Sequence, residues 1–146
     1  MAGRGLGVIG HVDDDHPHEL AELGRGDAHT ARERAHRVDQ VAAHTLRQLK
    51  PGASCADIAA SHDDYMRSRG LPAELRLYAH GQGYDLVERP LIRGDETMRL
   101  EEHMNLAVHP GYETPSIFAV ICDNYFIEAG GASACLHKTP KQVFEI

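Results

Sequence analysis

Hydrophobic positions along the chain change period near residue 72. From Ala31 to Leu49, Val38, Val41, Ala42, Thr45, Leu46 and Leu49 recur at spacings of three and four, which predicts an amphipathic helix. Pro51-Gly52 ends it. Ser54 followed by Asp57 has the form of a capping box and opens a second helix. Ile58, His62, Tyr65 and Met66 make its apolar stripe, and Gly70 is its stop signal. Cys55 and His62 read there as packing residues. After Leu71-Pro72 the period falls to two. Leu75, Leu77 and Ala79 alternate with Glu74, Arg76 and Tyr78, which predicts a strand. His80 to Pro90 is glycine-rich and reads as a loop. Asn105 to His109 predicts another strand, closed by Pro110-Gly111. Ile117 to Ile127 is a long apolar run rich in β-formers, and it reads as a central strand or a hairpin arm. Gly130-Gly131 is a turn, and Leu136 to Ile146 holds one last short strand. Two helices followed by a run of strands place the chain in the α+β class.

The first 27 residues do not follow either period. Leu6 to Ile9 reads as a short strand at most. His11 to Glu19 is acidic and interrupted by Pro17, so residues 1–27 are expected to be a polar arm, with one domain over residues 28–146. Such a stretch buries too little apolar area to offset its ordering entropy.

Composition narrows the functional classes. The chain has 146 residues and a net charge of −7, the wrong sign for a binder of nucleic-acid backbones. No apolar run is long enough to span a bilayer, and the N-terminus has no apolar h-region. Cys55, Cys122 and Cys135 are an odd count without C-x-x-C spacing, which argues for free thiols and a cytoplasmic setting. There are 11 histidines and no tryptophan.

The chemistry-bearing residues are His80 beside flexible glycines, Glu88 eight residues on, His109 at a strand end, and Cys122-Asp123 within the long apolar run. Gly81-Gln82-Gly83 lacks the third glycine of a dinucleotide loop. The chain has no G-x-S-x-G elbow and no H-E-x-x-H zinc motif.

The order of these residues resembles the pita-bread metallopeptidases: methionine aminopeptidase, aminopeptidase P, prolidase and their metal-free relative creatinase. The pattern runs G-H-G-x-G, H-E-x-P, L-x-x-G-M, x-E-P-G, R-x-E-D and a final L-T with P-K. Here it reads Ala79-His80-Gly81-Gln82-Gly83, Val87-Glu88-Arg89-Pro90, Leu100 to Met104 with His103 at the glycine, and Val108-His109-Pro110-Gly111. It continues with Val120-Ile121-Cys122-Asp123, Leu136-His137 and Pro140-Lys141. Lys50-Pro51-Gly52 with Ser54 to Ile58 resembles the joint between the family's helices. The likeness covers roughly Asp27 to Ile146.

The resemblance implies an α+β pita-bread fold, incomplete at its N-terminus, and a hydrolase of the Xaa-Pro peptidase or creatinase type. Its substrate would be a small peptide or an amide-like compound cleaved at a C–N bond. The family holds two divalent ions on two Asp, one His and two Glu. Paired ions lower the pKa of a bridging water and stabilise the oxyanion of the attacked carbonyl. By position, His80 matches the ligand histidine and Glu88 the acid of H-E-x-P. His109 and Cys122 stand at the two glutamates, and Val87 at the second histidine. Asp13 to Asp15 and Asp27 lack the turn that surrounds the family's two Asp.

Three alternatives follow. The first is a remodelled hydrolase, metal-free as in creatinase, in which His80, Glu88 and His109 transfer protons. The second is a mononuclear zinc site of His80, His109 and Cys122, with manganese and cobalt as the other divalent ions to test. The third is a non-catalytic fold that binds peptide or protein. Loss of the catalytic hairpin would expose a sheet edge and favour a homodimer.

Overall fold

The structure is a computed structural model and describes residues 6–7, 27–114, 117–140 and 144–145. Among the described residues there are two helices, α1 (Asp27–Leu46) and α2 (Cys55–Ser68), and nine strands. The strands are β1 (Leu6–Gly7), β2 (Ala79–Gly81), β3 (Glu88–Leu91), β4 (Asn105–Val108), β5 (Gly111–Thr114) and β6 (Ile117–Val120). They continue as β7 (Asp123–Glu128), β8 (Gly131–Ala132) and β9 (Phe144–Glu145). β3-β2-β4-β7-β8 form one antiparallel sheet, β5 and β6 a separate hairpin, and β1 pairs with β9. Apart from β1 and Asp27, which opens α1, the expected polar arm of residues 1–27 lies outside the described residues.

The helices end where local chemistry dictates. Ser54 caps α2, its hydroxyl accepting the Asp57 N–H at 3.3 Å. At the other end, Gly70 has φ +64°, the left-handed geometry that turns the chain out of a helix. The joint between the helices is stitched to a distant segment. Gly52 N–H donates to Leu100 O at 2.7 Å, Leu100 N–H to Ala53 O at 2.9 Å, and Cys55 N–H to Met98 O at 3.2 Å.

One face of the main sheet packs on this joint and on α2. Leu49, Cys55, Ile58, Tyr78, Ala79, Ile92, Leu100, Leu106, Val108, Tyr125 and Ile127 form that core. A second cluster joins α1 and α2 to the β5–β6 hairpin through Val38, Val41, Met66, Tyr112 and Ala119. Cys55 and His62 are buried, as packing residues are. His62 stacks on Tyr78 with ring centroids 3.8 Å apart, and its Nδ1 meets the Thr45 hydroxyl at 3.2 Å.

Three elements differ from the sequence pattern. The strand expected from Leu75 begins only at Ala79, because Glu74 and Arg76 bind each other and the hairpin instead of a ladder. Arg76 pairs with the Glu74 carboxylate at 3.0 Å, which also accepts the Gly111 N–H at 2.9 Å; Leu75 is left almost fully exposed. The expected loop from His80 to Pro90 contains β2, the start of β3 and only a short connection between them. The long run from Ile117 to Ile127 is two strands in different sheets, parted at Ile121-Cys122.

A buried carboxylate organises the turn after β3. Glu96 accepts from Arg89 Nε at 2.9 Å, from Met98 N–H at 3.0 Å and from Leu91 N–H at 3.3 Å. The Arg89 guanidinium and these N–H groups hold its carboxyl at about 2. A carboxyl depressed in the fold contributes stability above its ordinary range and loses it on acidification. Glu96→Gln should therefore be less stable than the parent at pH 7 in urea unfolding. The gap should close as pH falls from about 4.5 towards 2.

His103 carries the only described non-glycine residue with positive φ, at +72°, in the turn that enters β4. A side chain there is strained, and glycine is not. His103→Gly should raise stability by roughly 0.5–1 kcal/mol in the same assay, the relief of strain slightly exceeding the added entropy of the unfolded chain.

Candidate functional site

The register of the main sheet decides which side chains share a face. His80 lies opposite Ala107, which lies opposite Asn124. Ala79, Val108 and Asp123 form the next row, and side chains alternate between rows. The Ala79 row therefore looks toward the core. The His80 row, with Gln82, Asn105 and His109 at the alternate positions, looks the other way.

On that outer face two imidazoles meet. His80 and His109 have ring centroids 5.1 Å apart in an edge-to-face arrangement. His80 Nδ1 lies 2.9 Å from the carbonyl of Gly81, which can only accept, so Nδ1 carries the proton and Nε2 of the neutral ring holds a free lone pair. His109 follows β4, its N–H donating to Tyr78 O at 2.7 Å. Burial lowers the His109 imidazole to about 4, helped by its neighbours His80 and Arg76. His109 is therefore neutral at pH 7. Beside the pair runs a row of amides. Asn124 donates to Gln82 Oε1 and, at 3.3 Å, to Asn105 Oδ1, while Asn105 donates to Gln82 O at 2.8 Å. Single-residue reading missed this row. Its signal was the even spacing of Gln82 from His80 and of Asn105 from His109, with Asn124 in the His80 row, legible only once the strands are paired.

Glu88 stands apart from the imidazoles. Its Oε2 accepts the Asp85 N–H at 3.3 Å, and its Oε1 fills the space where any side chain at Gly83 would sit. Among the described residues it makes no hydrogen bond to His80 or His109. It closes its own loop, whose tip exposes Tyr84, Leu86 and Val87.

Cys122 sits one residue beyond the β4–β7 ladder, beside His109 in register, and is exposed. Partial desolvation, then the Asp123 carboxylate, pushes its thiol up, away from the thiolate that binds metal. Asp123 is buried on the other face, 3.4 Å from His137 Nδ1 and 3.5 Å from the Tyr125 hydroxyl.

These positions decide how a metal would fit. His80 presents Nε2 as a ligand histidine does. The hard, bridging carboxylates that two divalent ions require are absent from the described face. Among the described residues no three His, Cys, Asp or Glu side chains gather into a metal-binding group. The described face therefore does not fit a two-metal cluster, and the zinc set of His80, His109 and Cys122 is not assembled on it. Of the candidates for the two further Asp, Asp13 to Asp15 lie outside the described residues and Asp27 opens α1. Cavities of about 210 and 220 Å³ lie elsewhere, one at Arg89 to Glu96 and one between the helices.

His109 is expected to titrate near 4 in an NMR pH series of its ring protons. Burial is the largest cause, so His80→Gln should move that midpoint up while leaving it below the ordinary value of 6.5.

The model of metallopeptidase family M24 matches residues 21–133. No curated protein matches the chain. Its fold is similar to that of prolidase from Pyrococcus furiosus, with a TM-score of 0.68 and 24% identity over 76% of this chain and 33% of that one. The X-Pro aminopeptidase from Thermotoga maritima gives a TM-score of 0.68 and 20% identity over 79% and 33%. Dipeptidase PepE from Mycobacterium ulcerans gives 0.67 and 22% over 77% and 31%. The chain thus spans about a third of the length of these structures. Among the described residues no helix is long and apolar enough to cross a membrane. The α+β architecture is the pita-bread fold, and the family match extends over most of the sequence: this chain belongs to metallopeptidase family M24.

Proposed function

We propose that this chain is a peptidase-like binding domain that takes a small peptide, or an amide-like compound, on the polar face of β2, β4 and β7. The observation that carries this reading is a His80 tautomer set by the Gly81 carbonyl beside a row of side-chain amides, on a face where no metal-binding group gathers among the described residues. A small peptide offers its carbonyl as acceptor and its N-terminal ammonium as donor. The bare Nε2 of His80 suits the donor, and the side-chain amides of Gln82, Asn105 and Asn124 suit the acceptor.

A second reading is hydrolysis of a C–N bond, as Xaa-Pro peptidases and creatinase carry out. It is favoured by the close approach of the two imidazoles, one of which could take a proton from an attacking water. Glu88 would join them only if its loop moved. A homodimer formed along the sheet edge is compatible with either reading.

Calorimetric titration with an Xaa-Pro dipeptide, alongside an assay for its cleavage, separates the readings. The binding domain should take up the dipeptide in the presence of chelator, lose it in His80→Ala, and release no product. Turnover that survives chelator and is lost in His80→Ala would establish the hydrolase instead. Turnover that appears only with added manganese, cobalt or zinc would overturn both metal-free readings.

A further inference from the structure

A cationic groove lies between the two helices, away from the His80 face. Arg37, Gln40 and Val41 of α1 and Tyr65, Arg69 and Leu71 at the end of α2 line a cavity of about 220 Å³. The spacing follows from the helices. Arg37, Gln40 and Val41 are one turn apart on α1, and Tyr65 and Arg69 one turn apart on α2. Val41 and Leu71 belong to the second core cluster, so the floor is apolar and fixed. The groove carries no carboxylate in its lining. Four other arginines are paired with carboxylates: Arg67 with Asp64, Arg76 with Glu74, Arg89 with Glu96 and Arg93 with Asp95. Among the described residues Arg37 and Arg69 have no acidic partner.

Arg69 is held in place without using its donors. It is the C-cap of α2, its N–H bonded to Tyr65 O at 3.2 Å and Met66 O at 3.1 Å. Its guanidinium carbon lies 5.1 Å from the Tyr65 ring centroid. That ring is itself stacked on His44 at 4.2 Å. A guanidinium over an aromatic face keeps its N–H fork available at the edge. Two like charges share one small cavity in a protein whose net charge is −7. An anion between them removes their repulsion and meets two forks at once.

We infer that this groove is a binding site for a small oxyanion, a phosphate or a carboxylate, held by Arg37 and Arg69 with Gln40 beside them. The cavity suits the anionic group itself and little more. Exposure of Arg37 and the acidic net charge keep the affinity modest and sensitive to salt.

The test is an amide-shift NMR titration of the full chain with inorganic phosphate, with chloride adjusted to hold ionic strength constant. Saturable shifts confined to Arg37, Gln40, Tyr65, Arg69 and Leu71 are expected, with a Kd on the order of 1 mM. Arg37→Gln and Arg69→Gln should each raise that Kd about tenfold. Arg93→Gln, which lines the other cavity and pairs with Asp95, should leave it unchanged. A parallel titration with acetate names the source: equal or tighter binding of acetate assigns a carboxylate ligand, and binding of phosphate alone assigns a phosphate. Unfolding curves of the Arg37 variant guard against a folding defect, since that side chain is exposed. Shifts that do not saturate, that spread over all basic residues, or that persist in both groove variants would overturn the site.

Discussion

The two-residue period of β4 sorts the chemistry of the whole domain. Leu106 and Val108 point into the core beneath the helices, while Asn105, Ala107 and the following His109 belong to the opposite face. Because β4 is paired on both edges, with β2 and with β7, its register fixes theirs. A slip of one residue would drive His80 and Asn124 into the core and expose Tyr125 and Asp123. The apolar row therefore holds the polar row in place. Burial of Leu106, Val108, Tyr125 and Ile127 is the force that aligns His80 with His109.

Membership of the M24 family and the residues on that face pull in different directions. The fold delivers a histidine whose tautomer is set by a main-chain carbonyl, as a metal ligand requires. Around it, the described residues are neutral amides, a second imidazole and a protonated thiol. Ions of the hard divalent class bind through charge and through oxygen atoms that can bridge, and this face offers neither in the needed number. What it does offer is hydrogen-bonding capacity of both kinds at fixed spacing.

The helices were legible in the sequence because each is punctuated locally. Ser54 acts through its hydroxyl on an N–H three residues on and Gly70 through its own backbone, so neither needs a partner from far along the chain. The segment from Leu71 to Tyr78 was misleading for the opposite reason. Its alternation is that of a strand, but Glu74 finds the Gly111 N–H, 37 residues away, and no periodic pattern encodes that bond. Ile117 to Ile127 looked continuous because apolarity does not reveal which sheet a strand joins. The ordered series of motifs singled out His80, Glu88, His109 and Cys122; the sheet brings the two histidines together, and Glu88 has a partner in its own loop. The groove between the helices was invisible, because it depends on Arg37 and Arg69 lying side by side across 32 positions of sequence.

The interruption at His109-Pro110 and Ile121-Cys122 has a topological consequence. β5 and β6 form a hairpin nested inside the pairing of β4 with β7, so the four strands close as one zipper that changes sheet halfway. Loops closed within such a zipper are short, and their entropic cost is small. β2 lies outside it and must be brought to β4 across the intervening β3 and its turn. His109 thus belongs to a locally closed unit and His80 to a piece added from outside. The face that unites them exists only when the two have joined, which makes the histidine pair a marker of completed assembly rather than of local order.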